Sequence, residues 1–165
     1  MSNKPYFVED FFEVLLEQNI SQYSMLSSEN KKNLFELILN KFFKRANLLD
    51  ELWKYVVDAH IGVHLPYISK NRSFFLERLT FSQPVYFLFE PSEYNEILHF
   101  SNPDDLMDVL SNCYNFNFYI IADDLSGCVI WQRHEALIGL GQYQKQIKTI
   151  GREWLIFLEE NQQNS

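Results

Sequence analysis

Apolar residues recur at three- and four-residue spacings through the first half of the chain and then give way to compact β-branched and aromatic runs, which predicts helices first and strands after. Between Phe7 and Glu17, the positions Phe7, Val8, Phe11, Phe12, Val14 and Leu15 form one broad apolar face of a short helix. A second helix is expected to start at Ser27 or Ser28, whose hydroxyl can accept from an open amide of the first turn. It runs to about Arg45, with Leu34, Phe35, Ile38, Leu39 and Phe42 inward and Lys41, Lys44 and Arg45 at its negative end. Leu49, Leu52, Trp53, Val56 and Val57 predict a third helix from Leu48 to about His60, with Gly62 as its stop. Ser73 to Leu79 reads as a short helix.

In the second half, Pro84 to Glu90 (PVYFLFE) reads as a largely buried strand bounded by prolines. Tyr94 to Phe100 offers a hairpin partner, with a helical turn over Glu93 to Leu98 as the alternative. Asn102-Pro103-Asp104-Asp105 opens a helix with a capping amide, a proline in the first turn and two carboxylates where the macrodipole favours them. Phe116 to Ala122 and Cys128 to Arg133 pair as a hairpin around Asp123-Asp124-Leu125-Ser126-Gly127, a type I turn closed by glycine. Ala136 to Gly141 adds an edge strand, and Lys145 to Glu160 a terminal helix with Ile147, Ile150, Trp154 and Leu158 inward. The expected fold is α+β: N-terminal helices, then an antiparallel sheet of about four to five strands with helices packed on one face.

At 165 residues with 47% apolar and 16% aromatic residues, the chain is expected to fold as a single domain, 1–165, without disulfides or metals as staples. The apolar runs are strand-length and the N-terminal stretch is broken by Glu9, Asp10, Glu13 and Glu17, so neither a signal peptide nor a membrane span is expected. A cytoplasmic protein follows, with Cys113 and Cys128 as reduced thiols, one ending a helix and one in a strand.

Motif chemistry is sparse. His60 and His64 have the i, i+4 spacing of a helical zinc pair, but Gly62 interrupts them and no third ligand is identifiable, so no metal is expected. His134-Glu135 could supply a general base and its orienting carboxylate, except that adjacent strand residues face opposite ways. Gly139-Leu140-Gly141 lacks the third glycine and the βαβ setting of a dinucleotide loop, so no cofactor is expected either. Tyr94, Tyr114, Trp131 and Tyr143 flank turns or strand ends and are the aromatics expected to be partly exposed.

Charge is more informative. Residues 1 to 78 carry ten basic and ten acidic side chains, whereas residues 79 to 165 carry four basic and twelve acidic, so the whole net charge of −8 falls in the second half. No Lys or Arg occurs in the 54 residues between Arg78 and Arg133. Helix-start electrostatics accounts for Asp104, Asp105 and Asp108, and turn chemistry for Asp123 and Asp124; Glu90, Glu93 and Glu96 have no such local reason. A one-sign surface of this kind repels nucleic acid and steers a basic partner inward.

The pattern over residues 84 to 141 (PVYFLFE, then NPDDLMDVLSN, then FNFYIIADDLSGCVIWQRHEALIGLG) resembles the C-terminal half of small bacterial immunity proteins, over about a third of the chain. The resemblance implies an antidote, not an enzyme, that binds the toxic domain of a polymorphic or contact-dependent growth-inhibition toxin and blocks its active site. Trp131 and His134 lie on the matching motif. Many such toxins are nucleases with basic grooves, which places Glu90, Glu93, Glu96, Asp123 and Asp124 at the expected interface. A regulatory or scaffold module, and an enzyme using His134, stay open as alternatives.

Overall fold

The computed structural model describes residues 3–57, 60–64, 68–134 and 136–164. Among them, five helices accompany one seven-stranded antiparallel sheet, more strands than the sequence pattern predicts, with a helix at each end of the chain. The helices are α1 (Tyr6–Glu17), α2 (Ser28–Phe42), α3 (Ile68–Leu76), α4 (Pro103–Asn112) and α5 (Gln144–Gln163). The strands are β1 (Tyr23–Met25), β2 (His60–His64), β3 (Val85–Phe89), β4 (Ile97–Phe100), β5 (Phe118–Ala122), β6 (Gly127–Gln132) and β7 (Ala136–Gly141).

The sheet order is β1-β4-β3-β5-β6-β7-β2, so the two strands supplied by the helical half close the sheet at either edge. β7, expected at an edge, is therefore internal: β2 pairs along it from His60↔Leu140 to His64↔Ala136. Helices cover both faces, not one. Because side chains alternate along a strand, Phe87, Phe118, Ile120, Val129 and Trp131 meet α1, α3, α4 and α5 on one side. Leu88, Tyr119, Ile121, Cys128 and Ile130 meet α2 and the segment after it on the other. Double coverage explains why every residue of β5 and β6 is buried and why these strands read as unbroken apolar runs.

The expected third helix also fails, over the part of it that is described. Its segment turns at Asn47, whose side chain accepts from the Leu49 amide at 2.8 Å, and makes only a 3-10 turn over Leu52–Tyr55. The amides that would continue an α-helix are taken by distant groups: Leu52 N–H by the Glu90 carboxylate at 3.0 Å and Trp53 N–H by the Tyr119 hydroxyl at 3.1 Å. Val57 N–H bonds the Phe42 carbonyl at 3.0 Å. Tertiary partners thus override the helical spacing of Leu52, Val56 and Val57. α2 likewise stops at Phe42, short of the expected Arg45: Phe43 leaves the helical region at φ −133°, ψ 86° and forms an antiparallel bridge with Val56.

Local signals hold better elsewhere. The Ser27 hydroxyl caps α2, accepting from Asn30 N–H at 3.4 Å. Asn102 caps α4, its Oδ1 accepting from Asp104 N–H at 3.1 Å. Asn102→Ala is expected to lower the unfolding free energy by about 1 kcal/mol in urea titration, the usual worth of such a cap. In the β5–β6 turn it is Leu125, not glycine, that adopts the left-handed conformation, at φ 60°, with its amide on the Ala122 carbonyl at 2.8 Å. Cys113 ends α4 and Cys128 lies in β6; both are free and buried, with burial pushing the Cys113 thiol up to about 12. None of the described helices is long and apolar enough to cross a membrane.

Candidate functional site

The residues expected at the interface do not form one surface. Glu90 is 1% exposed: its Oε2 accepts from the Tyr119 hydroxyl at 2.6 Å and its Oε1 from Leu52 N–H. Burial raises its carboxyl above the ordinary value, against the two hydrogen bonds that lower it. Trp131 is fully buried, stacked on Phe118 at 5.5 Å, with its indole N–H donating to Asn115 Oδ1 at 2.8 Å. Neither can meet a partner at the surface. Tyr143, expected to be partly exposed, is likewise buried.

Glu96 is half-buried and paired with Lys31 at 3.1 Å; Asp123 is half-buried and paired with His99 at 3.3 Å, with Gln83 Nε2 on its other oxygen at 3.4 Å. Asp124 is exposed and accepts from the Ser126 hydroxyl and, at 2.9 Å, from Ser126 N–H, bonds that hold its carboxyl below the ordinary value. Glu93 is exposed. His134 lies exposed in the β6–β7 turn, its Nε2 accepting from Arg133 Nε at 2.8 Å, while Glu135 falls outside the described residues. His60 and His64 are the two ends of an extended strand, not positions on one helix. His60 Nδ1 instead donates to the Val57 carbonyl at 2.8 Å.

A different acidic surface comes together from α1 and α4, which pack side by side on the same face of the sheet. Their apolar stripes point inward: Val8, Phe11, Val14 and Leu15 from α1, and Leu106, Val109 and Leu110 from α4. Outward they carry Glu9, Asp10, Glu13 and Glu17 on α1 and Asp104, Asp105 and Asp108 on α4, with no Lys or Arg in either helix. Five of these carboxylates are exposed and two, Asp10 and Asp105, are half-buried. Asp104 and Asp105 suit the first turn of α4. Glu17 does not suit the last turn of α1, where the helix end is already negative.

At one end of this face two aromatic side chains stand in solvent. Tyr6 is 65% and Tyr114 56% exposed, and their rings meet edge to face at 5.0 Å. Asp10 fixes the loop that carries Tyr114, accepting from its amide at 2.7 Å. The Tyr6 phenol lies above its ordinary value, first through its hydrogen bond to Tyr114 and the charge of that neighbour, with Asp10 and Glu13 adding to the effect. Nearby, Lys4 lies over the Phe12 and Tyr94 rings at 5.3 and 5.9 Å, and Arg72 donates to the Leu110 carbonyl.

The sequence held one signal for this face. Glu9, Glu13 and Glu17 are spaced by four, which lines up one sign of charge along α1. Summing charge by halves hides it, because Lys31, Lys32, Lys41, Lys44 and Arg45 offset it in number although α2 lies on the opposite face of the sheet. Comparison with protein-family models, with curated proteins and with solved structures returns no match.

Proposed function

We propose that this chain is a binding protein, an immunity-type antidote that occupies the basic cleft of a toxin domain, most simply a nuclease, through the α1–α4 face. The observation that carries this reading is the coincidence of seven carboxylates, on two adjacent helices that carry no Lys or Arg, with an exposed Tyr6–Tyr114 pair. Aromatic anchors beside a charged rim are the usual make-up of a tight, fast-forming interface. A field of this sign accelerates encounter with a positive cleft and suppresses encounter with nucleic acid. The role requires no catalysis by the chain itself, and neither cofactor nor metal enters it.

The test is capture from the host lysate at low salt, with elution by rising salt, on wild-type protein and on the variant Glu9→Lys, Glu13→Lys, Asp108→Lys. The expected result is a basic toxin domain retained by the wild type, inhibited by it in a nuclease assay, and bound about tenfold or more weaker by the variant through a slower on-rate. Tyr6→Ala with Tyr114→Ala is expected to cost about 2 kcal/mol of binding through a faster off-rate. Because both rings are exposed, stability should hardly change. Retention of no toxin domain, or equal binding by the charge-reversed variant, would overturn the assignment.

A further inference from the structure

The two edges of the sheet differ. β1 is three residues long, too short to template another strand, whereas β2 offers five residues, His60–His64, with no Lys or Pro to blunt them. Among the described residues β2 has a strand neighbour on one side only, so its outer row of backbone donors and acceptors faces away from the sheet. α5 packs on both β2 and β7, close enough that a Cβ at Gly151 would lie 2.9 Å from Val63 Cγ2. Ile61, Val63, Trp154, Leu155 and Leu158 line an apolar groove along this edge, with Lys148 and Arg152 at its rim. Leu155 is 60% exposed.

We infer that a second copy of this chain docks here, β2 against β2 in antiparallel pairing and α5 against α5, as a two-fold dimer. Two features make the surface self-complementary. The first is spacing: with α5 over the β2–β7 seam and strands about 4.8 Å apart, a two-fold axis just outside β2 places the two α5 axes about 10 Å from each other, at the packing distance of helices. The second is charge. Lys148, Arg152, Leu155 and Glu159 form one stripe of α5 at spacings of four, three and four. Antiparallel apposition about a point between Glu153 and Trp154 sets Lys148 opposite Glu159 and Arg152 beside Leu155 of the other copy. The dimer also keeps the acidic faces apart, because α1 and α4 pack toward the β3–β4 half of the sheet. This inference is independent of what binds the α1–α4 face.

Sedimentation velocity on the full chain, across concentrations into the high-micromolar range, tests it. The expected result is a species of twice the monomer mass, weakened about tenfold or more by Leu155→Lys and likewise by Lys148→Glu with Arg152→Glu. Adding Glu159→Lys to the latter pair should restore association, which a merely unfolded variant would not do. Circular dichroism on Leu155→Lys, a change at an exposed site, verifies that the fold persists. A monomer at every concentration, or a dimer indifferent to these substitutions, would overturn the inference.

Discussion

Alanine in place of Gly141 is expected to destabilise the protein by about 3 kcal/mol or more, enough to consume a large share of the stability of a domain this size. Gly141 ends β7 at φ +58°, and a Cβ there would lie 2.1 Å from the Ser126 carbonyl oxygen and 3.0 Å from Gly127 Cα. Both obstacles are backbone of the neighbouring hairpin, which cannot swing aside as a side-chain tip would. Gly139→Ala should also destabilise, since its Cβ would approach Ile147 Cγ1 to 2.5 Å and lift α5 from the sheet. Gly62 supplies the control: its nearest neighbour would be Ile138 Cγ1 at 3.7 Å, and alanine there should be tolerated. Urea titration of the three variants checks the ranking; a loss below about 1 kcal/mol at Gly141 would show that the β5–β6 turn at Ser126 relaxes freely.

The same glycines illustrate which parts of this fold were legible from sequence. Gly139-Leu140-Gly141 could be rejected as a dinucleotide loop, yet the actual reason for each glycine is a contact with Ile147, Tyr143 or Ser126 that only the packed sheet creates. Elements carried by local signals came through: Asn102 caps α4, the Asp123–Gly127 loop joins β5 to β6, and Ile147, Ile150 and Trp154 turn inward on α5. Failures cluster where a backbone amide is satisfied from far away. Leu52 to Tyr55 has helical spacing but is held by residues on β5 and just beyond β3, and β2 becomes a strand because β7 offers it a full ladder.

The carboxylates follow the same rule. Lys31 lies 65 positions from Glu96 and His99 lies 24 from Asp123, so their partners are invisible to local reading. Glu9, Glu13 and Glu17 remain unmatched by cations on their own helix or on α4, so their charge remains at the surface. Acidic surface is therefore better sought as like charge repeated at helical spacing than as a long stretch lacking Lys and Arg.

Glu90→Ala is expected to cost about 3 to 5 kcal/mol. The carboxylate pins the chain after α2 to the sheet: it accepts from Leu52 N–H and from Tyr119 O–H, and the Tyr119 oxygen in turn accepts from Trp53 N–H. Alanine leaves the Leu52 amide and the Tyr119 proton without acceptors in a buried site, and adds a void. Burial above all, with the charge of Glu90 adding, raises the Tyr119 phenol far above its ordinary range, so it stays a donor throughout the accessible pH range. Glu90→Gln preserves an acceptor for Leu52 but turns a second donor toward the phenol, so an intermediate loss is expected. Its pH dependence has a definite sign. Because the folded carboxyl binds its proton more tightly than the unfolded one, whose ordinary value is near 4.5, the wild type gains stability from this group below that value and loses it as pH rises through the raised folded value. Glutamine does not titrate, so its deficit relative to wild type should shrink as pH rises through that window. Urea titrations of wild type and both variants on either side of it decide the matter: a Glu90→Ala loss below about 1 kcal/mol would mean the 3-10 turn is held by the Phe43 and Leu52 side chains alone, and a Glu90→Gln difference independent of pH would mean the carboxyl ionises in the fold as it does in water.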